Sequence, residues 1–185
     1  MSKKQISNPK LADSPDQADG LSHLTTGLSG NAEARMVDVG AKSVTDRTAL
    51  ASARILFPEG VLASIEAGGG PKGSISALLE VARVAGIMAA KRTGDLIPMC
   101  HPLGLDHVEI TFLRLAPDEL EVRCSAACQG KTGIEMEAMT GASLAALTVY
   151  DMTKALTKGI RIEAVRLLEK SGGESGIWRA ADYQG

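Results

Sequence analysis

The chain of 185 residues carries 20 Lys and Arg against 22 Asp and Glu, a formal net charge of -2, with 44% hydrophobic and 23% charged residues. That is the composition of a globular protein long enough for one well-filled core. Without a cationic excess, and with only 3% aromatic residues, it excludes a protein that coats nucleic acid.

No apolar run approaches the roughly 18 residues a membrane-spanning helix needs, and the polar N-terminus lacks the apolar core of a secretory signal. The expectation is a cytoplasmic protein, away from membranes, with Cys100, Cys124 and Cys128 as reduced thiols. Cys124 and Cys128 stand in a C-x3-C spacing with no second cysteine pair, so buried inert thiols are expected rather than a metal site.

In chain order, residues 1–30 are rich in Ser, Asp, Gly, Lys and Pro and show no periodicity, which predicts a disordered tail ahead of one domain over 31–185. Residues 36–39 read as a short extended piece, 48–57 as a first strand stopped by Pro58, and 59–66 as a short helix before a glycine cluster. Ser74 is the expected N-cap of a helix with Ile75, Leu78, Leu79, Ala82, Ala85 and Met88 on its apolar side, closing at Lys91, Arg92 and Gly94. A loop over 95–104 follows, with prolines bracketing Cys100 and His101, then strands over 108–115 and 120–125 around a turn at Pro117-Asp118.

The longest helical stretch follows Gly130-Lys131-Thr132-Gly133 and runs to Gly159. Ala138, Ala142, Ala145, Val149, Met152 and Leu156 share one stripe, the pattern of a core face. Leu144, Leu147, Asp151 and Lys154 lie opposite, so a helix covered on both sides is expected, with Asp151 and Lys154 at a second contact or cleft. A last strand over 160–168 precedes a loop over 170–176. The order strand, helix, strand, strand, helix, strand predicts an α+β fold, a ferredoxin-like β-α-β-β-α-β antiparallel sheet with its helices on one face.

Several residue types carry chemistry. Lys131 ends a Gly-Lys-Thr tripeptide, but position 125 is Ser125 rather than the first glycine of a nucleotide-binding P-loop. Glycine-rich loops with lysines, at Lys72, Lys131 and Lys170, suit anionic oxygens. Glu135 and Glu137 would face one side if that segment is extended, where paired carboxylates bind a base edge, a cation or lysines. His101 is the best candidate for a group titrating near neutrality.

The segments MVDV (36–39), PKG (71–73), AAKRTGDLIPMCHPL (89–103), GKTGIEMEAMT (130–140), AALTVYDMTKAL (145–156) and LLEKSGGESG (167–176) resemble, in order and spacing, the MoaC family of molybdenum-cofactor biosynthesis, the cyclic pyranopterin monophosphate synthases. The resemblance covers about residues 35–176. It implies a hexamer, a trimer of dimers with shared sites. The reaction implied turns (8S)-3',8-cyclo-7,8-dihydroguanosine 5'-triphosphate into cyclic pyranopterin monophosphate and diphosphate, with no cofactor required and Mg only an optional companion of the triphosphate.

By the motif matches, Asp151, Lys154 and Lys72 would be catalytic. Met99, Cys100, His101, Glu135, Met136 and Glu137 would line the substrate site. Lys42, Arg47, Lys131 and Lys170 would meet phosphates or lie near them. Gly94 and Ser74 depart from the residues usual there and bear on loop shape. The rival readings are a non-catalytic ferredoxin-like nucleotide-binding oligomer and a P-loop phosphotransferase.

Overall fold

The computed structural model describes residues 23–26, 30–69 and 74–184. The chain divides into two compact units, Met1–Val37 and Asp38–Gly185. In the first, Leu24–Thr26 (β1) pairs antiparallel with Ala32–Ala34 (β2), and the Arg35 amide donates to the His23 carbonyl at 2.8 Å. Most of the expected tail lies outside the described residues, but β1 falls within its bounds. A three-residue strand is too short to show a period, so only its pairing reveals it.

The second unit runs β3 (Thr45–Leu56), α1 (Val61–Ser64), a wider turn at Ile65–Gly69, α2 (Ile75–Ala90), α3 (Thr93–Leu96), β4 (His107–Ala116), β5 (Glu119–Gly130), α4 (Glu135–Thr153), β6 (Arg161–Ser171) and β7 (Trp178–Arg179). The sheet order is β4-β5-β3-β6-β7, and every neighbouring pair is antiparallel. With β7 and the short helices set aside, this is the expected ferredoxin-like arrangement. The helices share one face: α4 lies on β3, β5 and β6, and α2 lies on α4 and β4.

Alternation along the strands makes that face. Ala49, Ala51, Ala53 and Ile55 of β3 and Leu120, Val122, Cys124 and Ala126 of β5 are buried against Ala138, Ala142, Ala145 and Val149 of α4. Fully buried Ile55 and Ile110 each contribute roughly 1.5–3 kcal/mol. Burial pushes the Cys124 thiol up to about 12, which makes it an inert core residue.

The small residues let the two long helices close on each other. A Cβ at Gly86 would stand 2.9 Å from the Gly141 carbonyl and 3.0 Å from Ala145 Cβ, and one at Gly141 would stand 2.6 Å from Cys124 Sγ. Ala90 also reaches Gly141, so α2 and α4 run antiparallel and the start of α2 lies toward the end of α4.

Boundaries differ from the sequence reading where long-range pairing decides them. β6 continues through Lys170 to Ser171, which stands opposite Thr48 with the two hydroxyls 2.7 Å apart; this stretch was expected to be loop. α4 stops at Thr153 rather than near Gly159, and residues 36–39 form no regular element. Ser74 caps α2 as expected, accepting the Ala77 amide at 3.3 Å. The C-terminal segment crosses the sheet face that the helices leave open. There Ala180 N–H donates to Leu168 O at 2.9 Å, Arg166 pairs with Asp182, and Arg123 lies over the Tyr183 ring.

Candidate active site

One cluster forms where β5 gives way to α4. The helix begins at Glu135, so Glu135 and Glu137 sit in its first turn, where carboxylates offset the helix dipole. They are not on an extended segment. Two residues apart on a helix means about 200° apart, and the two carboxylates accordingly diverge.

Glu135 Oε1 pairs with Lys170 Nζ at 2.8 Å, while Glu137 turns inward and is only 3% exposed. Met136, between them, is exposed. Lys131 Nζ donates to the Gly40 carbonyl at 2.7 Å, and Arg47 Nε donates to the Gly130 carbonyl at 3.4 Å. Lys42 is exposed, in the turn closed by its own N–H to Val39 O at 3.1 Å. Four cations therefore belong to one end of the sheet.

Glu137 also walls a cleft of about 320 Å³ between the end of α2, the segment Arg92–Asp95 and Pro102–Gly104. Met99, Cys100 and His101 are half-buried in the loop leading to that wall, where the Cys100 amide donates to Ile97 O at 3.0 Å. Gly94 sets how near this loop comes. A Cβ there would stand 3.2 Å from Pro102 Cα and 3.5 Å from the His101 carbonyl.

Burial raises the Glu137 carboxyl pKa above its ordinary value; its own backbone amide opposes the shift and the Glu135 charge adds to it. The Cys100 thiol is pushed up by burial and then by the Glu137 charge, which puts the two within electrostatic reach. Cys128 is raised by burial and by Asp106 and Glu137, with Arg47 opposing.

Asp151 and Lys154 lie at the other end of α4, about 24 Å from Glu135 at about 1.5 Å of rise per residue. Lys154 Nζ donates to Asp151 Oδ1, and the two side chains are 54% and 58% exposed in the single chain. The burial expected for them is therefore absent within one chain. Leu147, on the same side, is exposed too, so only one broad face of α4 is covered. The hydrogen bond from Lys154 to Asp151 and then the Asp151 charge raise the lysine's pKa, holding it protonated. Lys72 lies outside the described residues.

Among the described residues no group of three or more His, Cys, Asp and Glu is arranged to hold a metal ion, and no helix is long and apolar enough to cross a membrane. Lys91 and Arg92 at the mouth of the Glu137 cleft were read from the sequence only as cations suited to a helix end. Their placement depends on the antiparallel α2–α4 packing, which leaves no local signal.

The sequence profile described as the MoaC family matches residues 36–173. A cyclic pyranopterin monophosphate synthase from Novosphingobium aromaticivorans is 52% identical over 162 residues, covering 88% of this chain and 98% of its own. One from Chloroflexus aggregans is 50% identical, covering 87% and 94%. Cyclic pyranopterin monophosphate synthase 1 of Mycobacterium bovis is 47% identical over 164 residues, covering 89% and 92%.

Proposed function

Because the chain belongs to the MoaC family, we propose that it is a cyclic pyranopterin monophosphate synthase. It converts the cyclised dihydroguanosine triphosphate into cyclic pyranopterin monophosphate and diphosphate. The observation that carries this is the match to synthases along nearly their whole length, 98% of one relative and 94% of another. The binding-module reading supplies no use for a solvent-facing Asp151–Lys154 pair.

The reaction makes three demands: the triphosphate is anchored, protons move while ring and sugar rearrange, and diphosphate leaves as the cyclic phosphate closes. Arg47, Lys131 and Lys170, with Lys42 near them, meet the first and third by neutralising phosphate charge that builds on the leaving group. Asp151, Lys154 and Lys72 meet the second. Glu135, Met136, Glu137, Met99, Cys100 and His101 form the wall against which the ring system rests.

One chain holds the Asp151–Lys154 pair and the cluster of Lys131, Glu135 and Lys170 at opposite ends of α4. Each complete site is therefore assembled from two copies, the catalytic pair of one facing the cationic end of another, in a cytoplasmic hexamer built as a trimer of dimers. The exposed stripe of Val81, Val84 and Met88 along α2 supports association, since it is the kind of surface that a partner covers. Enclosure between two copies strips water from the Asp151–Lys154 pair. Loss of water penalises the lysine's charge while strengthening its attraction to Asp151, so its proton affinity is tuned by the balance of the two, as general acid or base work requires.

The test is to supply the cyclised dihydroguanosine triphosphate and assay both products. Pterin and diphosphate appearing in equal amounts is the expected result. Diphosphate without the pterin, or neither, would overturn the assignment.

A further inference from the structure

We propose that Gly172 and Gly173 are positioning residues: they form the seat that aims the Arg47 guanidinium at the substrate's phosphates. The inference rests on the phosphate-binding reading of Arg47 given above and names what makes that arginine effective. Both glycines adopt left-handed backbone, with φ of +105° and +71°, which L-residues with a Cβ rarely take.

Their second constraint is spatial. A Cβ on Gly173 would stand 2.1 Å from Arg47 Nη1, 2.8 Å from Cζ and 2.9 Å from Nη2, so the guanidinium lies where a side chain would be. A Cβ on Gly172 would stand 2.2 Å from the Asp46 carbonyl and 3.0 Å from Arg47 Cδ, so the arginine's stem is held the same way. On its far side Arg47 donates from Nε to the Gly130 carbonyl, one residue before Lys131.

The seat is itself fixed. Gly172 N–H donates to Gly176 O at 3.1 Å, Gly176 N–H returns to Gly173 O at 3.3 Å, and Ser171 meets Thr48 hydroxyl to hydroxyl across the β3–β6 pairing. The same loop starts at Lys170, the cation paired with Glu135. One turn therefore sets two cations, one by sequence and one by contact. A guanidinium held close against the loop loses little freedom when it binds a phosphate fork, so preorganisation is what the glycines supply.

Four variants test this on the assembled enzyme, read by KM for the cyclised triphosphate and by inhibition with inorganic diphosphate: Arg47→Ala, Gly173→Ala, the double variant, and Gly176→Ala. The last is also left-handed, at φ +64°, but its Cβ would meet nothing within 4 Å. It controls for backbone strain alone. Arg47→Ala and Gly173→Ala should each raise KM and the diphosphate inhibition constant about tenfold and lower kcat through the lost contact with the leaving group, and the double variant should be no worse than Arg47→Ala. Gly176→Ala should leave both constants unchanged.

If Gly173→Ala weakens diphosphate binding as much without Arg47 as with it, or is silent where Arg47→Ala is not, the seat is refuted while the phosphate role stands. If Arg47→Ala is silent, the phosphate role falls and the seat with it. Should Gly173→Ala not fold, Arg47→Lys decides the matter without touching the loop. The seat predicts that lysine, which keeps the charge but lacks the planar fork, behaves like alanine; retained affinity would overturn it.

Discussion

Glu135 and Lys170 form an ion pair of 2.8 Å that ties the first turn of α4 to the end of β6, each side chain about a quarter exposed. In the proposed site the lysine's remaining protons turn toward an incoming phosphate, while the carboxylate limits where its head can go. On the proposed phosphate role, Lys170→Ala removes a cation and leaves Glu135 to repel the triphosphate. A KM about tenfold higher, equivalent to about 1.4 kcal/mol, is expected in steady-state assays. The gap should narrow as salt is added, and Lys170→Arg should recover most of it.

Glu137 gives a pH signature. Its carboxyl is raised above the ordinary 4.5 chiefly by burial, so over the interval between the unfolded and folded values the native state holds more protons than the unfolded one. Its contribution to stability is therefore full below pH 4.5 and lost as pH rises through the folded value. Glu137→Gln, neutral at every pH, should melt above the wild type at pH 8, and the difference should shrink as pH falls toward 4.5. Thermal melts across that range check it; a difference that grows on acidification would contradict the burial of this carboxyl.

The packing of α4 on β5 has no room for a methyl group at Gly141, where it would meet Cys124 Sγ at 2.6 Å. Gly141→Ala should destabilise by about 1–3 kcal/mol through overpacking, despite alanine's better helix propensity. Urea unfolding measures it. The same change at Gly104, where a Cβ would meet nothing within 4 Å, should stay within about 0.5 kcal/mol of wild type.

The strand and helix order was legible because alternation at Ala49–Ile55 and helical spacing at Ala138–Val149 are local patterns that follow from which face is buried. The motifs around Lys131, Glu135 and Asp151 were legible as candidate chemistry for the same reason: they are contiguous. Lys170 was assigned to loop because nothing in Lys-Ser-Gly-Gly announces a strand; pairing with Ala49 across the sheet makes it one. Glu135 and Glu137 were expected on one side because two-residue spacing means one thing on a strand and the opposite on a helix. The exposure of Asp151 and Lys154 was out of reach, since an apolar second face predicts a cover without saying whether the same chain provides it.

The measurement that bears most directly on shared sites is complementation between two inactive variants, Lys154→Ala and Lys131→Ala, each prepared as a folded oligomer and then mixed with subunit exchange. If every site draws one group from each of two copies, random mixing in equal amounts should restore activity to about a quarter of wild type. Persistent inactivity after proven exchange would mean that both lysines serve a site within one chain, contradicting the assembly of each site from two copies.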